Sequence, residues 1–187
     1  GLRTLTVIQN AVLLARRKQP ELNINQIDYN DQKVLDYIGT GKTDGVFQLE
    51  SAGMKGFMKE LKPHNLEDVI AGISLYRPGP MDFIPQYIRG KNDSSSITYD
   101  CPQLEPILAP TYGCIVYQEQ VMQIVRDLAG YSLGRSDLLR RAMSKKKAAV
   151  MEKERKIFIY GDEETGVPGC IKNCLLYTSP SPRDAHE

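Results

Sequence analysis

Residues 121–147 read VMQIVRDLAGYSLGRSDLLRRAMSKKK, and two periodic segments meet in them. Val121, Met122, Val125, Leu128 and Ala129 share one face of a helix, and Gly130 is placed to close that helix. A second helix follows, capped by Ser132 or Ser136, with Leu138, Leu139, Ala142 and Met143 on its apolar side. Helix, glycine stop and capped helix make this stretch α-helical, and the same grammar extends in both directions.

Downstream, residues 148–160 give a last helix, apolar at Val150, Ile157 and Phe158 and charged elsewhere. Upstream, residues 114–117 read as a short strand leading into the polar Gln118, Glu119 and Gln120, whose polarity capping and surface hydrogen bonds would explain. Residues 90–99, rich in Ser, Asn and Asp, read as an exposed loop after a helix over 83–89. Asn65 and Asp68 resemble a capping box before the helical face Leu66, Val69, Ile70 and Ile73, which Pro78 and Pro80 terminate. Ser51 is placed to cap a helix burying Met54, Phe57, Met58 and Leu61, ended by Pro63. Asp31 caps a shorter one through Val34, Leu35 and Ile38, closed by Gly39 and Gly41. Leu2, Leu5, Ile8, Val12 and Ala15 set the stripe of an amphipathic helix over 2–17, ending near Pro20. With no repeat and no sustained strand alternation, the predicted fold is mainly α with a few short strands.

Composition narrows the function by exclusion. The formal net charge of +1 argues against a uniformly basic coating protein. Yet residues 135–147 hold Arg135, Arg140, Arg141, Lys145, Lys146 and Lys147 against Asp137 alone, so the remainder of the chain is net negative. No stretch approaches the roughly 18 to 20 consecutive apolar residues that span a bilayer, so no membrane association and a cytoplasmic location are expected. Cys101, Cys114, Cys170 and Cys174 lack paired spacing and the histidines are His64 and His186, a pattern indicating neither a zinc site nor a disulfide framework.

Three constellations carry chemistry. Arg140 and Arg141 project at neighbouring angles from a helix that Leu138, Leu139 and Met143 anchor, and Lys145, Lys146 and Lys147 follow. Guanidinium forks suit phosphate oxygens and lysines add mobile charge, so the patch fits a triphosphate or a DNA backbone. A solvated helix face, or cations satisfying a helix C-terminus, has the same composition. In SLYRPGPM (74–81) two prolines hold Tyr76 and Arg77 at a helix end, which is equally a simple helix stop. The third is YGCIVYQEQVM (112–122), with Gln118 at its centre. From Cys174 the run CLLYTSPSPRD breaks all periodicity and resembles the translated read-through of a transposon-type sequencing-library adapter, so 174–187 is expected to be a non-native tail.

In order along the chain, GLRTLTVI (1–8), GVFQLESAGM (45–54), SLYRPGPM (74–81), PTYGCIVYQEQVMQI (110–124) and LAGYSLGRSDLLRRAMSKKK (128–147) closely resemble the bacterial polymerase III alpha subunits, the C-family of DNA polymerases. The resemblance spans nearly all of residues 1–173; many family members carry glycine where Ser144 stands, which leaves the basic residues in place. It implies that residues 1–18 are the end of the palm connection and the first fingers helix, and that 19–173 form the helical fingers. It implies a DNA-directed DNA polymerase as the parent protein, replicating the bacterial chromosome. The partners would be incoming dNTP, primer-template DNA, and a sliding clamp and other replicase subunits reached through parts outside this chain. Carried over by motif, Arg140 and Arg141 contact the triphosphate, Arg77 and Gln118 line the same cleft, and Lys145, Lys146 and Lys147 lie within phosphate reach. The family's two Mg2+ ions are held by three aspartates, two in an upstream Asp-x-Asp motif and one a few residues before the position of Gly1. No catalytic residue is therefore assigned here, Asp28, Asp31 and Glu119 are not substitutes, and the fragment alone is expected to be inactive. Two other readings of the residues are a nonenzymatic helical nucleic-acid-binding module and a helical interaction domain. A DNA grip would show a linear fall of log K with log salt and indifference to nucleotide.

Overall fold

The computed structural model describes residues 2–144 and 148–172. Nine α-helices occur among them: α1 (Arg3–Ala15), α2 (Gln32–Gly39), α3 (Ala52–Leu61), α4 (Leu66–Leu75), α5 (Ile84–Asn92), α6 (Glu105–Leu108), α7 (Gln118–Ala129), α8 (Leu133–Ser144) and α9 (Ala148–Tyr160). The β pairing among the described residues is an isolated antiparallel bridge between Asp162 and Val167. The chain divides into two compact units, residues 1–69 and 70–187.

In the first unit, local chemistry sets the helix ends. The Asp31 carboxylate accepts the Lys33 and Val34 backbone N–H groups at 2.9 and 3.4 Å, satisfying donors that the first turn of α2 leaves open. The Ser51 hydroxyl accepts the Met54 N–H at 3.3 Å and starts α3, which buries Met54, Phe57, Met58 and Leu61. Each such burial stabilises by about 1.5–3 kcal/mol, and α2 adds the buried Leu35 to this core. Ahead of α4, Asn65 Oδ1 accepts the Asp68 N–H at 2.8 Å, while Asp68 Oδ2 accepts the His64 N–H at 2.9 Å. The reciprocal cap thus closes one residue earlier than the usual box. Helix α1 forms as its spacing predicts, but none of its residues is buried. Amphipathic spacing defines which face seeks a partner without supplying one.

The second unit departs from the sequence reading at three places. Helix α5 runs on to Asn92, and the loop expected over 90–99 is shortened further by a 3₁₀ turn at Ser94–Ser96. Gly90 is buried, and a Cβ there would meet the Tyr112 Cβ at 2.8 Å. This glycine permits close packing and does not stop the helix; Tyr87 meets Tyr112 edge-on beside it, with ring centroids 5.1 Å apart. The second departure is at 114–117, where no strand forms. The Cys114 N–H turns back to the Thr111 carbonyl at 3.0 Å, and the Val116 and Tyr117 N–H groups donate to Gln120 Oε1, each at 2.9 Å. With those donors satisfied locally, the segment has no ladder to join.

The third departure is Leu138, expected in the core but 64% exposed. Helix α8 turns Ser136 and Leu139 inward, and Leu138 lies about 100° away from Leu139 on the side of Arg141. Met143, also expected to anchor the helix, is 41% exposed.

Helix α7 serves two clusters. Val125 and Ala129 join Tyr131, Leu139, Ile157 and Val167, while Ile124 and Leu128 pack with Ile107 and Leu108. Gly130 ends α7 at φ +74°, and a Cβ there would lie 2.5 Å from Pro168 Cγ. It meets two demands at once: a left-handed cap and room for the returning chain, whose Gly169 N–H donates to the Ala129 carbonyl at 3.0 Å.

Candidate functional site

The polar cluster of the second unit is built on α7, α8 and α9. Ser132 starts α8 by accepting the Arg135 N–H at 3.2 Å, which fixes the helical phase of everything after it. Residues at i, i+3 and i+4 then share a face, so Asp137 is set beside Arg140 and Arg141 together. Arg140 directs Nη2 and Nε at Asp137 Oδ1, at 2.7 and 2.9 Å. Arg141 Nη2 reaches Asp137 Oδ2 at 2.8 Å. The hydrogen bond from Arg140 holds the Asp137 carboxyl below the usual aspartate range, against the smaller upward pull of desolvation, and the charges of both arginines add to the effect. Asp137 is accordingly an anion at neutral pH.

Gly130 and the 131–132 connection fold α8 back along α7. Gln118, the first residue of α7, is thereby brought to Arg140, with Oε1 3.5 Å from Nη1. The two residues come from separate motifs 22 positions apart, and the tertiary fold brings them within hydrogen-bond reach. Arg77 is exposed, two residues beyond the end of α4. Its N–H donates to the Leu75 carbonyl at 2.8 Å and its own carbonyl accepts the Met81 N–H at 3.1 Å, so the turn fixes its backbone. Among the described residues no hydrogen bond joins Arg77 to Gln118. Lys145, Lys146 and Lys147 lie outside the described residues.

A second group secures α8 to α9. Arg135 Nη2 pairs with Glu154 Oε1 at 3.1 Å, the Tyr131 hydroxyl donates to Glu154 Oε2 at 2.9 Å, and the Arg135 guanidinium lies 5.2 Å from the Tyr131 ring centroid. Burial, reinforced by the hydrogen bond to Glu154, pushes the Tyr131 phenol up to about 12. Sequence reading singled out neither Tyr131 nor Glu154, because 23 residues separate them and no local spacing links them. Asp137 was legible, since it precedes the two arginines by three and four residues, but a count of charges in the patch treats it as background. Among the described residues no three of His, Cys, Asp and Glu come together as a metal-holding group.

The sequence model of the bacterial DNA polymerase III alpha subunit finger domain matches residues 4–166. This chain belongs to that family. The DNA polymerase III subunit alpha of Halalkalibacterium halodurans is 50% identical over 167 residues, which cover 89% of this chain and 15% of that protein. The DNA polymerase III subunit alpha of Staphylococcus aureus is 49% identical over 168 residues, covering 89% of this chain and 16% of that one. The chain therefore spans about one-sixth of the relatives' length. Within the matched fingers region lie Gln118, Asp137, Arg140, Arg141 and the Tyr131, Arg135 and Glu154 group. No helix among the described residues is long and apolar enough to cross a membrane.

Proposed function

We propose that this chain is the part of a replicative DNA polymerase that grips the incoming dNTP, with Arg140 and Arg141 holding the triphosphate. The observation that carries the reading is the convergence of both guanidinium groups on one carboxylate, within 2.9 Å. Donors so arranged form an oxyanion cradle, and phosphate oxygens are acceptors of the same class. Gln118 contributes a neutral acceptor that orients Arg140. Arg77 is assigned to the same cleft, and Lys145, Lys146 and Lys147 to contacts with DNA or phosphate, by their motifs alone. The chemistry is positioning and charge neutralisation while the bond to the α-phosphorus forms. On this reading the Mg2+-binding aspartates, the clamp contact and the other replicase contacts belong to parts of the polymerase outside this chain, which acts in the cytoplasm. The 187-residue chain alone then extends no primer.

The test uses a full-length polymerase carrying this fingers sequence. Replacing Arg140 or Arg141 with Ala lowers kcat/KM for dNTP by at least tenfold, about 1.4 kcal/mol of transition-state stabilisation. Lys at either position recovers only part of the loss, because it restores charge without the planar fork. Unchanged dNTP kinetics, together with an altered salt slope of DNA binding, would instead make the patch a backbone grip.

A further inference from the structure

We propose that Asp137 is an internal surrogate for phosphate: it holds Arg140 and Arg141 while the site is empty, yields them to the triphosphate, and takes them back as pyrophosphate leaves. This rests on the nucleotide reading above and adds to it a residue whose role opposes binding. Both carboxylate oxygens are engaged, Oδ1 by Arg140 and Oδ2 by Arg141. A phosphate that uses the same donors must displace the carboxylate or share them. Asp137 is tethered on the same helix at i−3 and i−4, so its local concentration at the forks is fixed by geometry and needs no ligand in solution.

The side chains of Asp137, Arg140 and Arg141 are 29%, 34% and 64% exposed, so the group is reachable from solvent and the exchange requires no unfolding of α8. Arg140 is also held by Gln118, a neutral acceptor on α7. Loss of the Asp137 contact therefore leaves that guanidinium oriented. These relations distinguish a competitor from a support. A supporting carboxylate would be needed for tight binding, whereas a competing one weakens it and speeds release. A polymerase gains from the second arrangement, because every turnover must empty the phosphate site and product release limits many enzymes.

The test again uses the full-length polymerase, in wild-type, Asp137→Asn and Asp137→Ala forms, with dNTP and inorganic pyrophosphate as probes. KM for dNTP and the inhibition constant of pyrophosphate are both expected to fall at least threefold in each variant, and kcat to fall as pyrophosphate release slows. In an Arg140→Ala, Arg141→Ala background the same substitutions lose this effect. A rise in KM for dNTP in both variants, or pyrophosphate inhibition unchanged in both, overturns the proposal. If the arginine variants alone still impair dNTP kinetics in that case, the nucleotide reading survives; if they do not, it falls as well.

Discussion

Arg135 and Glu154 close an ion pair at 3.1 Å between the first turn of α8 and the middle of α9, with both side chains only 17% exposed. The same carboxylate receives the Tyr131 hydroxyl, so one residue of α9 fixes both the connection before α8 and its first turn. Helix α8 carries Arg140 and Arg141, and both this junction and the buried Leu139 hold it against its neighbours.

Replacing Glu154 with Ala is therefore expected to destabilise the protein by about 2 kcal/mol, because it leaves the Arg135 guanidinium and the Tyr131 hydroxyl partly buried without their acceptor. Glu154→Gln retains an acceptor and falls between the two. Thermal melting of the three proteins decides the matter, and an Ala variant as stable as wild type contradicts the role assigned to the junction.

The junction also predicts a response to alkali. Tyr131 ionises at about 10 in an unfolded chain but only at about 12 here, so the folded state holds its proton where the unfolded state has lost it. The stability contributed by this group is complete below pH 10 and is lost as pH rises through about 12. Melting temperature followed across that window should fall more steeply in wild type than in Tyr131→Phe. Parallel curves would remove Tyr131 as the cause.

Gln120 is the residue on which the entry to α7 depends. Its Oε1 accepts two backbone N–H groups, and its amide nitrogen donates to Thr111 Oγ1 at 2.7 Å and to the Ile107 carbonyl at 3.3 Å, all from a buried position. Gln120→Ala is expected to cost about 2 kcal/mol and to speed amide hydrogen exchange at Val116 and Tyr117 ahead of the rest of α7. Exchange at those two amides unchanged from wild type would show that the cap is dispensable.

By itself the sequence determined the elements whose signals are local. Asp31, Ser51 and Ser132 cap the helices they precede because a side-chain oxygen reaches an N–H two or three residues on. Gly130 ends α7 because a left-handed residue there suits glycine. The motif order gave the family, and helical spacing placed Arg140 and Arg141 side by side. Only the tertiary structure decided what depends on residues distant along the chain. It turned Leu138 outward, because α8 is rotated to bury Leu139. It denied residues 114–117 a strand, because the Thr111 carbonyl took the Cys114 donor and a buried glutamine those of Val116 and Tyr117. It brought Gln118 to Arg140 across 22 residues and Glu154 to Arg135 across 19. Caps and periodicity act within one or two turns, whereas which faces meet is fixed by packing of the whole unit, and that is where the polar cluster acquires its shape.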